Sequence, residues 1–110
     1  MNVPTCLVLV LALAAPVSQS AAAEKAFVSG AKLNERCQSA ELDARALCLG
    51  FVLGVVDENP AILRCAPPSV TAHEVVEALK LHLGRYPSDR AFPGHVIMRL
   101  AMREAWPCDP

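Results

Sequence analysis

The chain is 110 residues long, sets 10 Lys and Arg against 11 Asp and Glu, and is 54% hydrophobic. That length holds one small domain and leaves no room for a large catalytic one, and a formal net charge of −1 argues against a nucleic-acid clamp or a polybasic membrane patch. One Trp, one Tyr and three Phe supply too few rings for a base-stacking or sugar-stacking platform.

Residues 1–23 read as a secretory signal peptide. Cys6 to Val17 is an apolar run broken only by Pro16, and the small residues that follow end in Ala21-Ala22-Ala23. The run is shorter than the roughly 20 residues that a membrane-spanning helix needs, although Met1 to Thr5 lacks the usual Lys or Arg. Cleavage after Ala23 leaves residues 24–110 as one exported domain, with no membrane segment expected after removal of the leader. It also removes Cys6, so the mature chain keeps Cys37, Cys48, Cys65 and Cys108. An even set in a short exported chain reads as two disulfides. The close Cys pairs of a zinc site are missing, and no metal or cofactor is expected.

In chain order, Ser29-Gly30 opens a short helix over Ala31 to Cys37 with Leu33 on its buried side, and Gln38 to Ala40 form the loop after it. Glu41 to Glu58 is long and apolar nearly all round through Leu42, Leu47, Leu49, Phe51, Val52, Leu53, Val55 and Val56. Such a helix is expected at the buried centre of the domain or against a partner. Asn59-Pro60 stops it, because the residue before proline is pushed out of helical angles. Ala61 to Ser69 is an irregular link. Thr71 and Glu74 then form a capping box, stapled by Val70 and Val75. Ala72, Val75, Val76, Leu79 and Leu83 recur at helical spacing up to a stop at Gly84. A last helix from Ala91 or Phe92 to Ala105 carries Val96, Ile97, Leu100, Ala101 and Ala105 on one stripe and ends at Trp106-Pro107-Cys108.

The pattern predicts an all-α fold, a small disulfide-linked antiparallel bundle of about four helices. In alternating helices Cys37 and Cys48 fall near one end, while Cys65 and Cys108 meet at the other. Crossed pairs would span most of a helix length, whereas linked cysteines keep their Cα atoms within about 7 Å. The expected bonds are therefore Cys37–Cys48 and Cys65–Cys108, with upper loop-closure contributions on the order of 3 and 4 kcal/mol.

Enzyme chemistry lacks its parts. His73, His82 and His95 form no metal pair and read as surface or half-buried side chains, and Ser29, Ser39, Ser69 and Ser88 have no nucleophile-elbow glycines. Asp57-Glu58 reads as a polar helix end, and Glu74, Glu77 and Lys80 as a solvated face.

The order Phe27-Val28-Ser29-Gly30, Leu33, Cys37, then Cys48-Leu49-Gly50-Phe51-Val52-Leu53-Gly54-Val55, then Cys65, Pro67, Val70, Leu83 and Pro87, closing on Ala105-Trp106-Pro107-Cys108, resembles the Rap/Tai immunity proteins. Trp106 stands where that family more often has Phe. The resemblance implies a periplasmic helical protein, often a homodimer, that inserts a loop into the cleft of a cell-wall amidase effector delivered by type VI secretion. Gly50, Phe51 and Gly54 then serve helix packing inside the bundle or across a dimer, since glycines four apart allow close approach. Contacts with the effector are expected from irregular segments such as Asp57 to Ser69 or Arg85 to Phe92, with Asp57, Glu58, Asn59 and Arg64 as the candidate residues. The alternatives are a small periplasmic acid-stress chaperone, which would carry many carboxylates and lose structure in acid, and an orphan envelope protein with the same domain.

Overall fold

The computed structural model describes residues 2–4, 12 and 26–109, so apart from 2–4 and 12 the leader expected at residues 1–23 lies outside the described residues. Four α-helices lie among the described residues: α1 (Gly30–Gln38), α2 (Leu42–Glu58), α3 (Ala72–Arg85) and α4 (Gly94–Ala105). Short 3-10 turns over Pro60–Leu63 and Pro87–Ala91 interrupt two of the links. The fold is an all-α, disulfide-linked bundle.

Local chemistry explains most helix ends. The Ser29 hydroxyl accepts the Lys32 amide at 3.1 Å and starts α1. At α3 the capping box is complete: the Glu74 amide donates to Thr71 Oγ1 at 3.2 Å, and the Thr71 amide donates to Glu74 Oε2 at 2.6 Å. These hydrogen bonds, the backbone one first, hold the Glu74 carboxyl below the usual carboxylate range.

Two ends depart from expectation. Helix α3 runs through Gly84 to Arg85 and is capped by Tyr86, so a glycine that forms ordinary helical bonds does not end it. Helix α4 begins at Gly94, later than Ala91 or Phe92, because Pro93 forces Phe92 into extended angles and Pro87–Ala91 closes as its own turn.

The entries of α1 and α4 are stitched together. The Gly30 amide donates to the Phe92 carbonyl at 2.8 Å and the Gly94 amide to the Val28 carbonyl at 2.7 Å. A Cβ on Gly94 would lie 2.8 Å from Leu33 Cδ1 and 2.9 Å from both Phe51 Cζ and the Val28 carbonyl oxygen. Only a bare Cα permits this approach.

The core is Leu33 and Cys37 of α1, Cys48 and Val52 of α2, Val75, Leu79 and Leu83 of α3, and Ile97, Met98, Ala101 and Met102 of α4. In α4 the buried stripe thus includes Met98 and Met102, while Val96 and Leu100 are half-buried and Ala105 is exposed. In α3 Ala72 is exposed and Val76 half-buried.

Helix α2 is not the buried centre of the domain, one of the two places expected for it. Of its side chains only Cys48 and Val52 are buried, while Leu42, Leu47, Leu49 and Leu53 are exposed. Three neighbouring helices cover one stripe of α2, and a domain this small has no second layer to cover the rest.

The disulfides join the elements covalently. Cys37–Cys48 ties the end of α1 to α2 with Cα atoms 5.1 Å apart, and Cys65–Cys108 ties the link before α3 to the tail after α4 at 5.2 Å. No helix among the described residues is long and apolar enough to cross a membrane.

Candidate functional site

The candidate loop residues stand where α2 ends. Pro60 has no amide hydrogen to lose at the start of a turn, and Asn59 adopts φ −135°, ψ 74°, so the chain leaves the helix there and turns over Pro60–Leu63. Ile62 and Leu63 pack partly against the core, which leaves Asp57, Glu58, Asn59 and Arg64 exposed. The next residue, Cys65, is bonded to Cys108, so the loop is pinned beside the C-terminal end of α4.

Two hollows flank this loop. One, of about 230 Å³, brings Asn59 and Arg64 together with Arg99, Arg103 and Trp106. The other, of about 500 Å³, gathers Gly50, Phe51, Gly54, Glu58 and Asn59 against His95 and Arg99. Asp57 lines neither. A Cβ added at Gly50 or Gly54 meets nothing within 4 Å, so neither glycine makes a close helix contact inside the protomer. Both belong instead to the outward face of α2, with Leu47, Leu49 and Leu53 exposed at 53%, 41% and 42%. That face continues around α2 to a third hollow against α3, of about 430 Å³, lined by Leu42, Leu49, Ala72 and Val76 and rimmed by His73, Glu77 and Lys80.

The second candidate loop, 85–92, is built differently. His82 is buried at 5% exposure, contrary to its reading as a surface or half-buried histidine. Its Nδ1 lies 2.6 Å from Glu104 Oε2 on α4 and its Nε2 lies 2.9 Å from Asp89 Oδ2 on the 3-10 turn. With both carboxylates ionised, both contacts are hydrogen bonds when the ring carries a hydrogen on each nitrogen. Arg85 also donates to Glu104, the Tyr86 hydroxyl approaches the same carboxylate at 3.4 Å, and the Tyr86 ring stands 4.7 Å from the imidazole. Burial pushes the Glu104 carboxyl up, but the hydrogen bonds from His82 and Arg85 and the charge of Arg85 outweigh it and hold the carboxyl below its usual range. The same hydrogen bond raises the Arg85 guanidinium. Arg90 Nε donates to the Leu83 carbonyl at 2.9 Å.

The charged groups of 85–92 are therefore spent on joining α3, α4 and the turn, and both ring nitrogens of His82 are occupied. By contrast, Asp57, Glu58 and Arg64 form no ion pair among the described residues. No group of three or more His, Cys, Asp or Glu among the described residues is arranged to hold a metal ion.

Sequence reasoning missed the His82 joint and the place of Arg99, Arg103 and Trp106 beside Arg64. For the arginines one signal was present: Arg99 and Arg103 are four apart, which puts two like charges on one helix face. For His82 the partners lie on other elements, and no local pattern names them.

Comparison with known proteins adds one match. The family profile described as Rap1a immunity proteins covers residues 29–108, which includes all four helices and both disulfides. No curated protein and no solved structure matches the chain.

Proposed function

The chain belongs to the Rap1a immunity proteins, and on that premise we propose that it is exported to the periplasm, where it binds and blocks a cell-wall amidase effector of type VI secretion. In this reading residues 1–23 are removed on export, and the loop over Asp57, Glu58, Asn59 and Arg64 makes the contact. The observation that carries it is the contrast between the two candidate loops. The 57–64 segment is pinned at Cys65 yet its charged side chains form no ion pair among the described residues, while 85–92 uses its own internally. A rigidly anchored loop with free polar groups loses little entropy on binding.

The outward face of α2 supports a homodimer in the same reading. Exposed leucines around Gly50 and Gly54 form a low apolar surface on which a second helix can lie close. The family match favours inhibition over the chaperone alternative, since it concerns the whole domain and not its composition alone.

The test is a titration of a cell-wall amidase encoded beside this gene with the oxidised protein. The reading expects stoichiometric loss of amidase activity, and at least about tenfold weaker inhibition by Asp57→Ala with Glu58→Ala at an unchanged melting temperature. Full amidase activity in the presence of excess protein would refute the assigned target. Undiminished inhibition by the double variant would move the contact to another surface.

A further inference from the structure

The cleft between the Asn59–Cys65 segment and the C-terminal half of α4 is lined by three arginines, Arg64, Arg99 and Arg103. Arg99 and Arg103 are a helical turn apart and repel each other, and the disulfide-pinned loop adds Arg64 beside them. None of the three has a hydrogen bond or ion pair from its guanidinium among the described residues, whereas Arg85 and Arg90 are both engaged internally. Among the described residues no acid pairs with them: Glu58 shares the neighbouring groove with Arg99 without an ion pair, and the Glu104 carboxylate beside Arg103 in the chain is held by His82 and Arg85. A chain of net charge −1 thus collects three cations around one hollow of about 230 Å³. Concave walls focus such a field.

We propose that this cleft receives an acidic segment of a partner protein, with Arg64, Arg99 and Arg103 taking its carboxylates over a floor formed by Trp106, Ile62 and the Cys65–Cys108 bond. Guanidinium forks match carboxylates two oxygens at a time. The floor is what favours a protein segment over a free anion, because phosphate gains nothing from an indole and a disulfide, while the methylenes of Glu and its neighbours gain by covering them. The hollow is smaller than the roughly 300–1,000 Å³ typical of pockets that enclose small organic ligands. Arg and Trp are also the side chains that most often anchor protein interfaces. The inference rests on the immunity reading only in making the partner a protein.

Trp106 is the only tryptophan in the chain, so its fluorescence reports on the cleft directly. The experiment titrates the oxidised protein at low ionic strength with an end-capped hexaglutamate peptide, with hexaglutamine, and with inorganic phosphate. A saturable change with hexaglutamate is expected, weakened by added salt, absent with hexaglutamine and absent with phosphate at matched charge. Arg99→Gln with Arg103→Gln should weaken it about tenfold and Arg64→Gln about threefold, while Arg45→Gln on the α2–α3 groove leaves it unchanged. Circular dichroism melts of each variant verify that the bundle is intact. No saturable signal with hexaglutamate, an equal response to phosphate, or a double variant that titrates like the parent would each overturn the proposal. The two readings fail separately. A neighbouring amidase inhibited equally by the parent and the Arg99→Gln, Arg103→Gln variant removes the cleft from the interface and leaves immunity standing. A peptide that binds while the amidase does not supports the cleft and removes the target.

Discussion

Helices α2 and α4 make an instructive pair. Over Leu42–Glu58, α2 carries mostly apolar residues, yet only Cys48 and Val52 are buried. Over Gly94–Ala105, α4 carries His95, Arg99, Arg103 and Glu104 among its residues, yet buries Gly94, Ile97, Met98, Ala101 and Met102. Burial follows the sidedness of a helix more than its total apolarity. In α4 the polar groups leave one apolar stripe that turns toward α3, α1 and α2, whereas in α2 apolar groups point every way and the bundle covers one of those directions. The surplus on α2 is then available for contact with another molecule.

The largest expected effect tests the seam between α3 and α4. Leu79 is fully buried there, so Leu79→Ala should cost about 2–5 kcal/mol in urea unfolding. A loss below about 1 kcal/mol would mean that the seam is not the centre of the fold.

A smaller effect is expected where the same seam is closed by charge. Glu104→Gln removes the carboxylate shared by His82 and Arg85 and should cost about 1–3 kcal/mol at neutral pH. The sign of its pH dependence follows from the lowered Glu104 pKa. The stability it confers is complete above the ordinary Glu value of about 4.3 and is lost as pH falls from there through the lower folded value. Unfolding followed between neutral pH and about pH 3 should therefore show a shallower acid slope for Glu104→Gln than for the parent, and equal slopes would detach Glu104 from acid stability.

The smallest effect sharpens the α2 side of the comparison. Leu49→Asp with Leu53→Asp replaces exposed side chains and should change the stability of the protomer by no more than about 0.5 kcal/mol per site. If the outward face of α2 joins two copies, sedimentation should show the parent as a dimer and this variant as a monomer. A dimer that survives both aspartates would place the contact elsewhere.

The readable parts of the sequence were those encoded over a few residues. Ser29 before α1, the Thr71–Glu74 box and the Asn59–Pro60 stop each act on amides within one helical turn, and all three stand at helix ends in the structure. Gly84 misled because a glycine ends a helix by turning left-handed, and this one stays in helical angles while the helix ends one residue later at Arg85 with Tyr86 as its cap. Pro93 had the information to start α4 correctly, since proline suits the first turn of a helix and the residue before it does not. Of the candidate loop residues, Asn59 and Arg64 do share a cleft, but Arg99 and Arg103, which complete its charge, lie far along the chain.

The sequence by itself determined the helices, most of their ends and the spacing of the cysteines at 37, 48, 65 and 108, because capping, spacing and proline geometry are local. Only the tertiary structure decided which side of α2 is covered, that His82 joins Glu104 to Asp89, that Gly94 must pass bare against Leu33 and Phe51, and that three arginines from two elements share one hollow. Each of these depends on which faces meet when the helices pack, and that choice is made by the whole set of burials at once, which no short stretch of the chain encodes.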